Sequence, residues 1–376
     1  MNESCSGNAK SVEQLLSDLR QHDWLVNWKT ADALAEMGEH AFPHLLRALE
    51  DADGYVRNGA AIALGKIGNA DATQPLIRAL QWRDNRVYED GEDQEARTSA
   101  ATALGKLRNG VACKALIAEL EKLPNTDATL ASYIVEALGE IGDPKAVPVI
   151  ARAMDSDDFE LQKIASWALT KLGGDGIGAL LRMAANRDQL GRPYVIRALG
   201  TNSVESATQL LLQIVETPNE DKYVRCQAAE ALGRIGRSPK ILPVLLAMLQ
   251  APEEEVRSGA LYGLGALHDS RAYNAIVEQL DSSSHHYVAI MALGELGDAR
   301  ACELLVPMLK SGDDSVTVHA ATALGKIGCH SAIPSLIQLR DRMAVSDSLV
   351  SKAHAVTVEG VIQKLQQQRE HESSLG

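Results

Sequence analysis

Apolar residues recur along this chain at helical spacing, and the pattern itself repeats. In 56–68, VRNGAAIALGKIG, one helical face carries Val56, Ala60, Ala61, Leu64 and Ile67. Gly68 predicts the end of that helix, and 69–71 predict a turn. The following segment, 72–80 (ATQPLIRAL), supplies a second apolar stripe. The unit therefore predicts two helices joined by a tight turn.

The hexapeptide within this unit, ALGKIG, returns in altered form from one end of the chain to the other. Its central leucines are Leu34, Leu64, Leu104, Leu138, Leu169, Leu199, Leu232, Leu264, Leu293 and Leu324. They are spaced by about 31 residues, apart from one interval of 40. One helix pair cannot bury both of its stripes, whereas stacked pairs can. The chain is therefore predicted to be an α-solenoid of about ten repeats.

The repeat phase also predicts where the array begins, ends and is interrupted. We expect one solenoid over 1–376, with an N-terminal cap at 11–23 and repeats from 24 to 340. The long interval places an inserted polar loop at 81–95, and such loops often carry function. A closing cap helix is expected at 341–368, followed by a flexible tail at 369–376.

Composition and charge exclude several classes of function. The chain is 45% hydrophobic but only 4% aromatic, which suits close packing of small and aliphatic side chains. A net charge of −13 disfavours nucleic acid as a partner. The polar N-terminus lacks the apolar core of a signal peptide, and no apolar run is long enough to span a membrane. Five cysteines without a CxxC pair favour a reducing, cytoplasmic setting.

The recurring arginine of the VR pair has two interpretations. Arg57, Arg225 and Arg257, with Arg97 in an AR pair, could form a ladder of anion-binding groups. Each of them also follows an acidic loop, such as the one that begins at Glu50. We favour the second interpretation, in which the arginine ties that loop to its helix.

The pattern VRxxAAxALGxIG, a turn and AxxxLIxxL resembles the short HEAT-like repeat of the phycobilisome bilin lyases, over about 12–340. The resemblance implies an all-α, right-handed superhelical α-solenoid of about ten two-helix repeats. It further implies the activity of the E/F-type lyases, which bind an open-chain tetrapyrrole and dock a phycobiliprotein subunit. They guide thioether formation to a cysteine of that subunit. A phycobilin is then a substrate, and no separate cofactor is expected.

The candidate site lies on the residues that the repeat pattern spares from packing: the two after VR, the one after AA and the one after ALG. These positions lie three or four apart, so they form one stripe on each first helix. In proteins of this family the stripe faces the concave surface. In the middle repeats it carries acidic, aromatic and cationic residues in place of ordinary solvated ones. The two carboxylates, Glu136 and Glu230, are the candidate catalytic residues.

A bilin lyase needs a carboxylate for the pyrrole N–H groups, a cation for the propionates and aromatic walls. The candidate substrate-binding residues are Tyr133, Lys163, Trp167, Tyr194, Arg197, Cys226 and Tyr262. Cys226 is a further candidate for holding the bilin transiently. A smaller cluster near the N-terminus either binds a ligand or caps the first repeat: Trp24, Trp28, Asp32 and Tyr55.

Other chemistry is less well supported. Deoxyhypusine hydroxylase resembles this fold but binds iron through His-Glu pairs after VR, and no such pair occurs here. His285 and His286 could bind a metal with His319, yet no carboxylate supports them, so no metal is predicted. Only Cys302 and Cys329 lie in adjacent repeats, too few for an iron–sulfur cluster. The competing function is a non-catalytic scaffold whose groove binds a partner protein.

Overall fold

Each predicted repeat folds as a first helix followed by a second helix. The computed structural model describes residues 10–21, 23–82, 92–124, 127–201, 204–236, 238–281, 286–346 and 348–375. Within these residues it contains helices and turns and no strand. Twenty α-helices form ten pairs, flanked by one helix at each end. The all-α, ten-repeat prediction is confirmed, while the right-handed superhelix stays a prediction.

The first helices of the pairs carry even numbers and the second helices odd numbers. In chain order the helices are α1 (Val12–Asp18), α2 (Trp24–Glu36), α3 (Phe42–Ala48), α4 (Gly54–Ile67), α5 (Thr73–Leu80), α6 (Glu92–Leu107), α7 (Gly110–Leu120), α8 (Ala128–Ile141), α9 (Val147–Ala153), α10 (Phe159–Lys171), α11 (Gly173–Ala185), α12 (Arg192–Leu199), α13 (Glu205–Glu216), α14 (Lys222–Ile235), α15 (Ile241–Met248), α16 (Glu254–Ala266), α17 (Tyr273–Val277), α18 (His286–Leu296), α19 (Ala301–Met308), α20 (Asp314–Ile327), α21 (Ile333–Ala344) and α22 (Leu349–Leu375).

The second repeat shows why these residues form these helices. The Asp53 side chain accepts the first free N–H groups of α4, which satisfies donors that have no partner inside the helix. At the other end Gly68 adopts φ +74°, a left-handed conformation that suits glycine and stops the helix. The turn then passes directly into α5. Both helices lie where the apolar pattern predicted them.

The ten central leucines form the core of the array, and every one of them is completely buried. The glycine that follows this leucine, present in eight of the ten repeats, lies against the next element of the array. A β-carbon on Gly105 would lie 2.8 Å from the Cα of Ala137, and one on Gly139 would lie 3.0 Å from the Cα of Ala168. Real β-carbons do not approach other atoms so closely, so a larger residue would not fit at these positions. The glycine of ALG therefore allows neighbouring first helices to lie in close contact.

The arginines of the VR pairs bind backbone carbonyls at the ends of the preceding second helices. Arg57 donates to the carbonyl of Asp51 (2.6 Å), Arg225 to that of Val215 (3.2 Å) and Arg257 to that of Ala251 (2.7 Å). Arg97 binds the carbonyl of Leu80 and also pairs with the buried Glu119. Helix ends leave such carbonyls without partners, so the arginines fasten each repeat to the one before it. The structural interpretation of these arginines is confirmed.

The chain packs as two compact units, Met1–Val195 and Ile196–Gly376. Residues 83–91, most of the predicted inserted loop at 81–95, lie outside the described residues. The closing helix α22 continues to Leu375, past the end predicted at 368. Residues 361–375 contain neither glycine nor proline, so nothing local stops the helix where the tail was expected.

The close contact between first helices predicts opposite effects for two glycine substitutions in the second unit. A β-carbon on Gly294 would lie 2.7 Å from the Cα of Ala323, whereas one on Gly360, in α22, would meet open space. We expect Gly294→Ala to lower the free energy of unfolding by roughly 1–3 kcal/mol, because a packed interface must move apart. Gly360→Ala should raise it by up to about 1 kcal/mol through helix propensity alone. Denaturant unfolding measures both, and equal effects would contradict the packing argument.

Candidate functional site

Within the stripe predicted from the repeat pattern, the position after AA is accessible to solvent in all ten repeats, whereas Gly59, Thr98, Gly259, Val288 and Ala320, at the positions after VR, are buried. On α8, for example, Val135 and Ala137 are buried while Glu136 between them is exposed. The same alternation of buried and accessible positions holds in eight of the other nine repeats; in the first repeat, Asp32 and Ala33 are both partly accessible. The accessible residues are Asp32, Ile62, Thr102, Glu136, Trp167, Arg197, Glu230, Tyr262, Met291 and Thr322.

The predicted site residues divide between the two compact units. The first unit holds Tyr133, Glu136, Lys163, Trp167 and Tyr194. The second unit holds Arg197, Cys226, Glu230 and Tyr262. Each set is therefore described within its own unit.

In the first unit, Tyr133 and Glu136 lie on one face of α8 and line a groove that α10 borders. The groove has a volume of about 350 Å³ and is also lined by Ser132, Glu160 and Ile164. Tyr133 is 41% exposed, so its ring is available to a ligand. The groove brings Tyr133 and Glu136 together, and their role in binding stays a prediction.

The three carboxylates that line the groove differ in whether they already have a partner within the protein. Glu160 binds Lys163, with the ammonium 2.7 Å from one of its oxygens. Asp158 is used as the N-cap of α10 and accepts the N–H of Leu161 at 2.7 Å. Among the described residues, Glu136 forms no ion pair. Glu136 is therefore the carboxylate that remains open to a ligand in this groove.

Trp167 lies one helical turn beyond Lys163 on α10 and is 39% exposed. An indole on the accessible face of a helix offers a flat apolar surface with one polar edge, which suits a planar ligand. Tyr194 and Arg197, both on α12, differ in their exposure to solvent. Tyr194 is half-buried, while Arg197 is exposed. Arg197, unlike Lys163, has no ion pair among the residues that the structure describes.

In the second unit, Cys226 and Glu230 lie one turn apart on α14 and are flanked by Tyr262 on α16. The two helices approach so closely that a β-carbon on Gly259 would lie 2.5 Å from the Cα of Cys226. Glu230 forms an ion pair with Arg234, one further turn along α14. Burial, with the nearby Tyr287, Cys226 and Glu230, raises the pKa of the Tyr262 hydroxyl, which therefore stays protonated and able to donate.

The Cys226 thiol is poorly suited to hold a bilin covalently. Burial, together with Glu230 and Glu255, raises its pKa to about 11. Since the thiolate is the nucleophile, the reactive form of this cysteine is scarce near neutral pH. The Cys226 thiol is therefore mostly protonated near neutral pH, and its place in a binding site stays a prediction.

Sequence analysis missed two partners of the predicted residues. Glu160 follows the N-cap of α10, a position where an acidic residue is normally explained by helix capping. Arg234 occupies the position after ALG, and only its spacing from Glu230 indicated an i,i+4 pair. The repeat pattern alone does not distinguish a paired charge from a free one.

A lysine contacts two residues of the smaller N-terminal cluster. Lys66 lies over the ring of Trp28, 4.2 Å from its centroid, and also pairs with Asp32. The side chain of Trp24 lies outside the described residues. Because Lys66 already contacts both Trp28 and Asp32, these two side chains are less available to a ligand. This favours the capping interpretation of the cluster over ligand binding.

The described part of the chain holds neither a cluster of three metal-ligating side chains nor a helix able to span a membrane. No three His, Cys, Asp or Glu side chains converge there as metal ligands. His285 lies outside the described residues, while His286 and His319 each use a ring nitrogen on a backbone carbonyl. None of the described helices has the length and the apolar character needed to cross a bilayer.

Comparison with known proteins places this architecture in a family. The family model described as HEAT repeats matches residues 12–90, 114–200, 177–265, 208–289 and 275–348. The chain belongs to the HEAT-repeat family. A crystal structure of importin beta has the same kind of fold, with a TM-score of 0.52 at 14% identity, covering 94% of this chain and 56% of that one.

Among curated proteins, the chain is similar to bilin lyases, as the repeat pattern predicted. It is 31% identical over 173 residues to phycocyanobilin lyase subunit alpha of Nostoc sp., covering 42% of this chain and 62% of that protein. It is 26% identical over 201 residues to the protein of the same name from Picosynechococcus sp., covering 50% and 74%. The match to the Nostoc protein thus spans less than two thirds of its length.

The raised pKa of Cys226 predicts slow alkylation by iodoacetamide in the native protein. With a pKa of about 11 in place of 9.0, the thiolate fraction at pH 7 falls roughly hundredfold. Below the folded-state pKa, the rate should rise about tenfold per pH unit. Mass spectrometry of the peptide that contains Cys226 measures the rate, and the denatured chain is the control. Native alkylation as fast as in the denatured chain would contradict the assigned environment.

Proposed function

We propose that this HEAT-repeat protein binds a phycobilin and a phycobiliprotein subunit and assists thioether attachment of the bilin to that subunit. The observation that carries the proposal is the similarity to phycocyanobilin lyase subunit alpha over up to half of the chain. The accessible acidic and aromatic stripe supports it, because an ordinary solvated helix face has no need of exposed Trp and Tyr.

In the first unit, Glu136 is the residue assigned to the pyrrole N–H groups. Its carboxylate is exposed, borders the groove and accepts hydrogen bonds, which stabilises a protonated and therefore more electrophilic tetrapyrrole. Tyr133 and Trp167 offer aromatic surfaces to the flat conjugated system. Tyr194 is assigned to the same wall.

Each unit has its own cation candidate for a propionate, Lys163 in the first unit and Arg197 in the second. Lys163 was a candidate for this role, but its ammonium is bound by Glu160. Arg197 is exposed, and a guanidinium binds a carboxylate through two parallel hydrogen bonds.

In the second unit, Glu230 and Arg234 form a pair of nearly balanced charge beside Tyr262. The Tyr262 hydroxyl, kept protonated by its raised pKa, donates a hydrogen bond to a carbonyl of the ligand or the partner subunit. Cys226 is not given a covalent role. The sulfur that forms the thioether belongs to the acceptor subunit: it adds to a carbon–carbon double bond of the bilin, and its proton passes to carbon.

The second candidate function is a scaffold without chemistry. The general likeness to importin beta is one of fold alone and does not favour it. A scaffold that bound only protein would need no open carboxylate beside exposed aromatic rings. The scaffold nevertheless predicts a distinct result, namely protein binding without bound colour.

The test is to produce the protein together with a phycobilin and purify it. Visible absorbance that comigrates with the protein is expected, followed by covalent transfer of the colour to an added phycobiliprotein subunit. Absence of both with each phycobilin tried would overturn the proposal. Binding of the subunit by colourless protein would then support the scaffold.

Two substitutions in the first unit are expected to weaken bilin binding without changing helical content. Glu136→Gln removes a charge-assisted hydrogen bond, so affinity should fall by roughly tenfold or more. Trp167→Ala removes an exposed aromatic wall and should have a comparable effect. Asp175→Asn, which neutralises an exposed carboxylate on a second helix, is the matched control and should bind normally. Absorbance titration measures the affinity, and circular dichroism measures the helical content. Unchanged affinity in both variants would exclude the accessible face that carries Glu136 and Trp167 as the bilin site.

A further inference from the structure

The closing helix α22 carries two apolar stripes on opposite sides. Helices α20 and α21 pack against α22 and bury its inner stripe, which is Ala355, Val358, Ile362 and Leu365. The outer stripe is exposed and consists of Leu349, Ala353, Val356 and Gly360. In both stripes the residues recur at alternating intervals of three and four, the spacing of helices that pack side by side. One helix thus offers two packing faces, and within the described chain only the inner one is covered.

The outer stripe is more apolar than the end of a repeat array requires. Leu349 is 82% exposed and Val356 73%, and Val350 at the edge of the stripe is 61% exposed. A terminal helix needs a polar outer face. The opening helix α1 has one, and its exposed residues are Glu13, Gln14 and Ser17. The apolar outer face of α22 therefore indicates a surface that another molecule covers.

We propose that the outer stripe of α22 is an interaction surface that binds the same stripe of a second copy of this chain, with the two helices antiparallel. The partner is a helix, because the stripe has the spacing of packed helices. It is a second copy, because the stripe complements itself in shape and in charge when one helix is reversed. Such self-complementarity is what a dimer with two-fold symmetry requires.

The complementarity in shape comes from pairing large residues with small ones. Reversing one helix places Leu349 opposite Gly360 of the second copy, and Ala353 opposite Val356 of the second copy. A β-carbon on Gly360 would meet nothing within 4 Å, so this position has room for a leucine side chain. Parallel helices would instead place Gly360 opposite Gly360, which leaves a gap in the interface. The antiparallel arrangement is therefore the better packed one.

The complementarity in charge comes from two residues on one edge of the stripe. Lys352 and Glu359 lie seven residues apart, so they flank the outer stripe on the same side. In the antiparallel pair each lysine lies beside the glutamate of the other copy, and the symmetry makes two such ion pairs. Lys352 is exposed and forms no ion pair within the described residues. Arg340 at 2.8 Å and Gln363 at 3.0 Å hold the Glu359 carboxylate in place, while the side chain stays 36% exposed to a second cation.

Sedimentation equilibrium of the full-length chain, from about 1 to 300 µM, measures the association. One pair of helices makes a small interface, so a reversible monomer–dimer equilibrium is expected in this range. Val356→Lys places a charge in the middle of the stripe and should weaken the dimer at least tenfold. Val111→Lys, on an exposed valine of α7, is the matched control and should leave the dimer unchanged. Circular dichroism checks that both variants keep their helical content. A native chain that stays monomeric throughout, or a Val356→Lys dimer as tight as the native one, would overturn the proposal.

Two charge reversals test the antiparallel pairing. Lys352→Glu turns both expected ion pairs into repulsions and should weaken the dimer roughly tenfold. Lys364→Glu changes the net charge equally, but in the antiparallel pair Lys364 lies beyond the first residue of the other α22, so it should have little effect. In parallel helices Lys364 would lie beside Glu359 of the second copy, and the order of the two effects would be reversed. Equal or reversed effects would therefore overturn the antiparallel pairing.

Discussion

The contact between the ALG glycine of one first helix and the residue before the central leucine of the next determines how these repeats pack. That facing residue is alanine at Ala103, Ala137, Ala168, Ala231, Ala292 and Ala323. Opposite Gly233 it is Gly263, and there even the backbone oxygen lies within 2.1 Å of an added β-carbon. Such an interface tolerates no larger side chain, so it fixes both the spacing and the register of neighbouring first helices.

Fixed register has a functional consequence, because it assigns every residue of a first helix to a buried or an accessible face. The position two residues before the central leucine becomes accessible in all ten repeats, whatever residue occupies it. Side chains there are free to vary without disturbing the core. The candidate residues Glu136, Trp167 and Tyr262 therefore occupy a position that the contact between first helices leaves open to different side chains.

The sequence was sufficient for the helix pairs and for the accessible position after AA, since both follow from the 3.6-residue period and the repeat phase. It was also sufficient for the structural role of the VR arginines, because each of them follows an acidic loop. It was insufficient for charge pairing. Lys163 and Arg197 occupy similar stripe positions, yet only Lys163 meets a carboxylate, and it comes from the first turn of its own helix. Likewise, the raised pKa of Cys226 depends on how deeply α14 and α16 pack, which no single-helix pattern contains.

The two candidate carboxylates illustrate how equal register permits unequal roles. Glu136 and Glu230 stand at the same position of their repeats, but only Glu230 has an arginine one turn further along its helix. At Glu136 a ligand meets an uncompensated negative charge, which favours a cationic or N–H-rich group. At Glu230 a ligand meets the nearly neutral Glu230–Arg234 pair. This pair selects between ligands less by their charge and more by the geometry of their hydrogen bonds. Under the proposed function, protonation of the tetrapyrrole therefore belongs to Glu136, while Glu230 with Tyr262 orients polar groups in the second unit.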